Sequence, residues 1–148
     1  MRISVGSDHA GFELKEKLEA HLKMLGHDVI DVGTHNDDPV DYPDLAARVG
    51  TAVASGEAER GVLVCGSGIG VAIAANKIDG VRAANVYDPE MAKMSRLHND
   101  ANVVTMGGRY LPDETAQEIV DAFVATAFEG GRHQRRVDKI TALEQRRD

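Results

Sequence analysis

A single cysteine in 148 residues, Cys65, excludes an internal disulfide and a multi-cysteine metal site. No stretch approaches the roughly 18 consecutive apolar residues of a membrane-spanning helix. The opening MRISVGSDHA has no apolar signal core, which predicts a soluble, cytoplasmic protein. Basic charge is scarce as well: 17 Lys and Arg against 24 Asp and Glu leave a net charge of -7. That balance argues against nucleic acid or an anionic membrane as the main partner, because both favour basic faces. Paired histidines or carboxylates at metal spacing are missing, and the acidic loop HNDDPVDYPD does not follow the calcium-loop pattern, so no metal is expected. There is no internal repeat beyond the alternation described next, no low-complexity segment and no long linker. With 43% hydrophobic residues, the chain is expected to form one domain over residues 1–148.

What is present is a regular alternation. RISVGS reads as a strand, and Phe12, Leu14, Leu18, Leu22 and Leu25 then recur at helical spacing up to Gly26. HDVIDVG gives a second strand, followed by a polar loop and a helix whose inner face is Leu45, Val49, Ala52 and Val53. GVLVCG is the third strand, with a helix expected over Val71 to Ile78. VRAANVY is the fourth, followed by Asp88 as a helix cap and Pro89 at the first helical position. NVVTMGG is the fifth, with Pro112 near the start of the helix after it. A basic tail over residues 129–148, in which Val137, Ile140 and Leu143 fall about a turn apart, predicts a last helix packed on this subunit or on a neighbour. Five strands alternating with helices imply a parallel sheet covered on both faces. The fold class expected is α/β, a three-layer α/β/α sandwich with a Rossmann-like five-stranded sheet and an extra C-terminal helix.

Ligands in such sheets bind beyond the carboxyl ends of the strands, and the residues there are polar and glycine-rich. They include Asp8 and His9 after the first strand, Cys65 to Gly70 after the third, and Gly107, Gly108 and Arg109 after the fifth. The run GSGIGV does not meet the dinucleotide fingerprint, because Val71 stands where a third Gly or Ala is required, and it lacks the Gly-Lys-Ser/Thr of a phosphate loop. A generic anion cradle survives, beside the plainer reading of a tight turn. Cys65 alone reads as a small buried hydrophobe. At the mouth of such a cradle, however, backbone N–H groups and a helix N-terminus favour its thiolate, as a nucleophile or a base. His98, near the end of the fourth helix, suits a general acid or is simply a surface histidine. His9 and Asp8 are placed to contact substrate hydroxyls, or Asp8 only caps the first helix. His21, His27 and His35 carry no functional reading. Arg132 and Arg136, four residues apart, share one helical face and with Arg109 offer guanidiniums to an anion; the plainer reading is a solvated basic face.

Taken together, GSDHAGF, DYPD, CGSGIGVAIAANK, HNDANV, GGR and EGGRHQRRV resemble the type B ribose-5-phosphate isomerase family, which includes isomerases of galactose 6-phosphate and other phosphosugars. The resemblance runs nearly end to end. It implies that Cys65 removes the proton from C2 of an open-chain aldose and returns it to C1 through an enediolate. Backbone N–H groups across Gly66, Ser67, Gly68, Ile69 and Gly70 would stabilise the oxygen of that intermediate. His98 would be the acid that opens the furanose ring, with Asp8 helping or binding hydroxyls. His9, Arg132 and Arg136 match phosphate-site positions, with Arg109 and Asn99 completing the pocket and Tyr42 lining it. No cofactor is implied. The partners implied are a phosphosugar and a second copy of the chain, as a homodimer or a dimer of dimers with each site shared between subunits. Some relatives replace the cysteine and draw a base from a glutamate in the next helix; here VAIAANK offers no acid. Ser67 stands where some relatives have threonine and keeps the hydroxyl. The substrate expected is ribose 5-phosphate, with allose 6-phosphate, galactose 6-phosphate or erythrulose 4-phosphate as enzymatic alternatives. A phosphate or nucleotide sensor with a redox-responsive cysteine is the non-enzymatic one.

Overall fold

The computed structural model describes residues 1–145. Five strands, β1 (Arg2–Ser7), β2 (Asp28–Asp31), β3 (Arg60–Cys65), β4 (Ala83–Asn85) and β5 (Val103–Gly107), form one parallel sheet in the order β2-β1-β3-β5-β4. The crossovers are α1 (Phe12–Met24), α2 (Tyr42–Ala54), α3 (Ile69–Ala75) and α4 (Pro89–Asn99), and α5 (Asp113–Ala125) and α6 (Arg132–Glu144) follow. The doubly wound sheet is the α/β sandwich that the alternation predicts.

Alternation along the central strands builds both layers, since successive side chains point to opposite faces. Ile3, Val5, Val62, Val64, Val104 and Met106 join Leu14, Leu18 and Leu22 of α1 and Ile119, Val120 and Phe123 of α5 in one core. Leu63, Cys65 and Val103 face the other way, onto Ala46, Val49 and Val53 of α2 and Val71 and Ala75 of α3. Gly6 and Gly61 let α2 lie close: a Cβ on either would meet the Val49 side chain, at 2.9 and 2.6 Å.

Several boundaries differ from the sequence expectation. α3 begins at Ile69 rather than Val71 and ends at Ala75 rather than Ile78, because Gly68 turns the chain with φ 83° and brings the glycine run into the first turn. β4 keeps only three of the seven residues of VRAANVY. It is an edge strand, and the Asn76 side chain bonds both its backbone groups at Ala83, accepting from N–H at 2.8 Å and donating to the carbonyl at 2.9 Å. Leu25, expected on the inner face of α1, lies exposed beyond the helix end, while Lys15 is buried. Its ammonium bonds both Asp31 carboxylate oxygens at 2.7 and 2.8 Å and the Thr34 carbonyl at 2.7 Å, which ties α1 to the end of β2. Burial opposes ionisation of Asp31, but Lys15, the Gly33 N–H and Glu19 together hold its carboxyl below the usual carboxylate value. The predicted tail helix is α6, with Val137 buried and Ile140 and Leu143 exposed; residues 146–148 of the tail lie outside the described residues.

Candidate active site

Between β1 and β3 the winding of the chain reverses, since β2 lies outward of β1 on one side and β5 and β4 beyond β3 on the other. Strand ends part at such a switch point and leave a crevice. Here a cleft of about 490 Å³ is lined by Asp8 after β1, by Cys65, Gly66, Ser67, Ile69 and Gly70 after β3, and by Tyr42, Ile73, Arg109 and Tyr110.

Cys65 is the last residue of β3 and is 5% exposed. Its Sγ accepts the Gly68 N–H at 3.1 Å, which ties the sulfur to the turn that follows β3. Gly68 can make that turn because it has no side chain: a Cβ would lie 2.7 Å from the Met106 carbonyl carbon and closer still to the Asn85 side chain. The Thr105 hydroxyl of β5 donates to the Gly68 carbonyl at 2.8 Å and fixes the loop from below. Ile69 N–H donates to the Ser67 hydroxyl at 3.2 Å. Two of the five amides expected to face an enediolate are therefore turned to the sulfur and to Ser67 in this state. Tyr42 packs directly on Gly70, leaving no room there for a larger residue. Arg109 lies alongside Gly66, and its backbone N–H donates to the Gly66 carbonyl at 3.2 Å.

On the β1 side, Asp8 accepts the Gly11 N–H at 3.0 Å through Oδ1 and caps a single 3-10 turn over His9–Gly11, so the capping reading holds while its side chain still lines the cleft. His9 Nδ1 accepts the Val40 N–H at 3.2 Å. A neutral His9 thus carries its proton on Nε2. His21 bonds Asp121 at 2.7 Å, His27 bonds the N-terminal amine at 3.2 Å and His35 lies 3.7 Å from Asp31, contacts that need no functional reading.

The remaining expected residues are elsewhere. α4 runs back from the carboxyl end of β4 to the amino end of β5, so His98 and Asn99 in its last turn lie at the opposite end of the sheet from Cys65. The span of β5 alone separates the two ends by roughly 15 Å. Arg82 holds the end of α4 from below, its Nε donating to the carbonyls of Asn99 at 3.1 Å and Asp100 at 3.0 Å. Arg132 and Arg136 are exposed on α6, and Asn99 borders a separate groove of about 370 Å³ beside Ile140 and Leu143.

His133, inside the basic tail, stacks on His98 with ring centroids 4.4 Å apart and planes 14° apart. Its position one residue after Arg132, on the buried side of an amphipathic helix, is the signal that was available. Its ring is buried, and burial, aided by the Arg132 and His98 charges and opposed by Glu129, pushes its pKa below the ordinary 6.5. His98, Glu129 and His133 bring ligand-type atoms within 4.8 Å of one another. Nearly parallel rings, however, aim their in-plane lone pairs past each other, so the trio is not arranged as a metal site. A second trio, Glu16, Glu19 and Asp31, has the Lys15 ammonium beside it, 3.1 Å from Glu16 and 2.7 Å from Asp31.

Fold and cleft define a doubly wound α/β protein with a thiol and an amide-rich turn at its switch point, the place where such proteins bind small anionic ligands. The model of the ribose/galactose isomerase family matches residues 3–140, and the chain belongs to that family. It is 50% identical to ribose-5-phosphate isomerase B of Escherichia coli (strain K12), with 99% of each chain covered. Among solved structures it superposes on ribose-5-phosphate isomerase B of Clostridium thermocellum with a TM-score of 0.99 at 47% identity, over 100% of both chains. The Mycoplasma genitalium enzyme with bound ribulose-5-phosphate matches with a TM-score of 0.94 at 42% identity, over 97% of this chain and 96% of that one.

Proposed function

We propose that the chain is an aldose-ketose isomerase that interconverts D-ribose 5-phosphate and D-ribulose 5-phosphate, working as a single domain in the cytoplasm with each site shared between two copies. The thiolate of Cys65 takes the proton from C2 of the open-chain aldose, and the electron pair moves onto the C1 carbonyl oxygen to give the enediolate. The O2 hydroxyl proton then passes to O1, and the proton held by Cys65 is delivered to C1 as the carbonyl forms at C2. Amides of the 66–70 turn other than those bonded to Sγ and Ser67 face the oxygen on which charge develops, where the loss of one donor typically costs about a hundredfold to a thousandfold in rate. His98 of a second copy protonates the ring oxygen of the furanose. The phosphate, far from the reacting carbons, is held by His9, Arg109, Arg132 and Arg136, with Asp8, Tyr42 and Asn99 completing the pocket, so that binding energy orients a flexible chain for proton transfer.

One observation carries the shared site: Cys65 ends a strand, whereas His98 ends the helix that returns to the other end of the sheet. Two copies placed against each other bring the halves together. Ile69, Ile73 and Tyr110, which line the cleft, are 50%, 59% and 69% exposed, an apolar margin of the kind a partner subunit covers.

Purified protein treated with chelator should convert ribose 5-phosphate to the ketose, and faster than it converts six-carbon aldose phosphates; binding without conversion would favour the sensor instead. Cys65→Ala should abolish turnover while keeping sugar phosphate affinity. Mixing inactive Cys65→Ala with inactive His98→Asn should restore about a quarter of wild-type activity, since half the dimers are hybrids with one intact site each. Mixtures as inactive as their components would refute a site built from two chains.

A further inference from the structure

We propose that His133 is a positioning residue, a stacking platform that holds the His98 imidazole in the orientation from which it exchanges a proton with the sugar ring. The inference rests on the ring-opening role of His98 and adds to it the device that aims the group. The rings lie face to face, 4.4 Å between centroids and 14° apart, one on the last turn of α4 and the other on the first turn of α6. Only one of them is fixed by burial, His133 at 5% exposed, while His98 is half-buried. Without a neighbour on that face, a histidine at a helix end samples several rotamers, and misplacement by about 1 Å can cost a hundredfold in rate.

Every charged group facing His133 bears on its protonation. Arg132 and Arg136 come from α6, His98 from α4 and Glu129, with Oε1 3.9 Å from Nε2, from the segment before α6. Burial, with Arg132, His98 and Arg136, outweighs Glu129 and holds the His133 pKa below its ordinary value, which favours the neutral ring. A protonated His98 then lies over a neutral aromatic face, which attracts it, rather than against a second cation. Nε2 of His133 is buried and has no hydrogen-bond partner among the described residues. The polarity of Nε2 is thus unused, and the stack draws on the flatness and size of the ring, which phenylalanine shares.

The test uses the full-length enzyme with ribose 5-phosphate, which must be opened, and erythrose 4-phosphate, which cannot close a five-membered ring because its terminal oxygen is esterified. His133→Ala should lower kcat on ribose 5-phosphate about tenfold to a hundredfold with KM nearly unchanged, and leave turnover of erythrose 4-phosphate within about twofold. His133→Phe should recover ribose 5-phosphate turnover to within about threefold of wild type. Independently of activity, proton NMR should show the His98 ring protons shifted upfield by the stack in wild type and in His133→Phe, and released in His133→Ala. Equal losses on both substrates, a phenylalanine variant no better than alanine, or unmoved His98 signals would each overturn the proposal. His98→Asn separates the two readings. If it also slows both substrates equally, ring opening by His98 is wrong; if its loss is specific to ribose 5-phosphate while His133→Ala has none, only the platform is wrong.

Discussion

Replacing Gly68 by alanine tests whether the turn beneath the thiol is conformationally required. Gly68 sits at φ 83° and ψ -9°, where an L side chain costs about 1–2 kcal/mol. Its Cβ would also lie 2.7 and 2.8 Å from the carbonyl carbon and Cα of Met106, backbone of β5 that cannot retreat; overpacking of this kind costs about 1–3 kcal/mol. The sum is roughly 2–5 kcal/mol, which at a urea slope of about 1.5 kcal/mol/M lowers the unfolding midpoint by roughly 1.3–3.3 M. The same shift moves the N–H that contacts Sγ at 3.1 Å, so kcat should fall by about a hundredfold. Gly66→Ala is the control. The atoms nearest its Cβ would belong to the Arg109 side chain, 3.1 Å to Nη1 and 3.4 Å to Cδ, and that side chain can swing aside. Stability should then change by less than about 1 kcal/mol. Urea unfolding and initial rates decide the matter: equal midpoints for the two variants, or a Gly68→Ala enzyme with wild-type turnover, would refute the reasoning.

Lys15→Met should cost about 3 kcal/mol because it strands the Asp31 carboxylate, whose side chain is 17% exposed, and Lys15→Met/Asp31→Asn should recover part of the loss in urea unfolding. His133 has a depressed pKa, so the unfolded chain binds more protons below about pH 6.5 and stability falls with acid from there; Asp31, also depressed, adds a second loss below its ordinary value of 3.8. Tm measured from pH 3 to 8 should show both declines, and His133→Phe should flatten the first and keep the second. Arg136→Ala should raise KM for ribose 5-phosphate about tenfold or more, the size of a lost charge-assisted bond, with a smaller change in kcat; an unchanged KM would return Arg136 to solvent.

Much of this was legible in the chain because the determinants are local. Val62, Leu63 and Val64 announce a strand covered on both faces, Asp88 and Pro89 a helix start, and the residues after β1 and β3 fall at the switch point by topology alone. What escaped depends on partners far apart in sequence. Lys15 reads as a surface charge until Asp31 and the Thr34 carbonyl are placed around it. His133 reads as part of a solvated run until α6 lies against α4 and stacks it on His98. The early start of α3 turns on one φ angle at Gly68, which the neighbouring glycines 66 and 70 disguise.

The small contact between Asn76 and Ala83 has a consequence for how the protein resists aggregation. An unprotected border strand offers free amide and carbonyl groups on which foreign chains add, the first step towards fibrils. At Ala83 a carboxamide fills both valences of the peptide, so the rung a newcomer would need first is already taken. With only three residues in β4, little ladder is left for an intruder to climb.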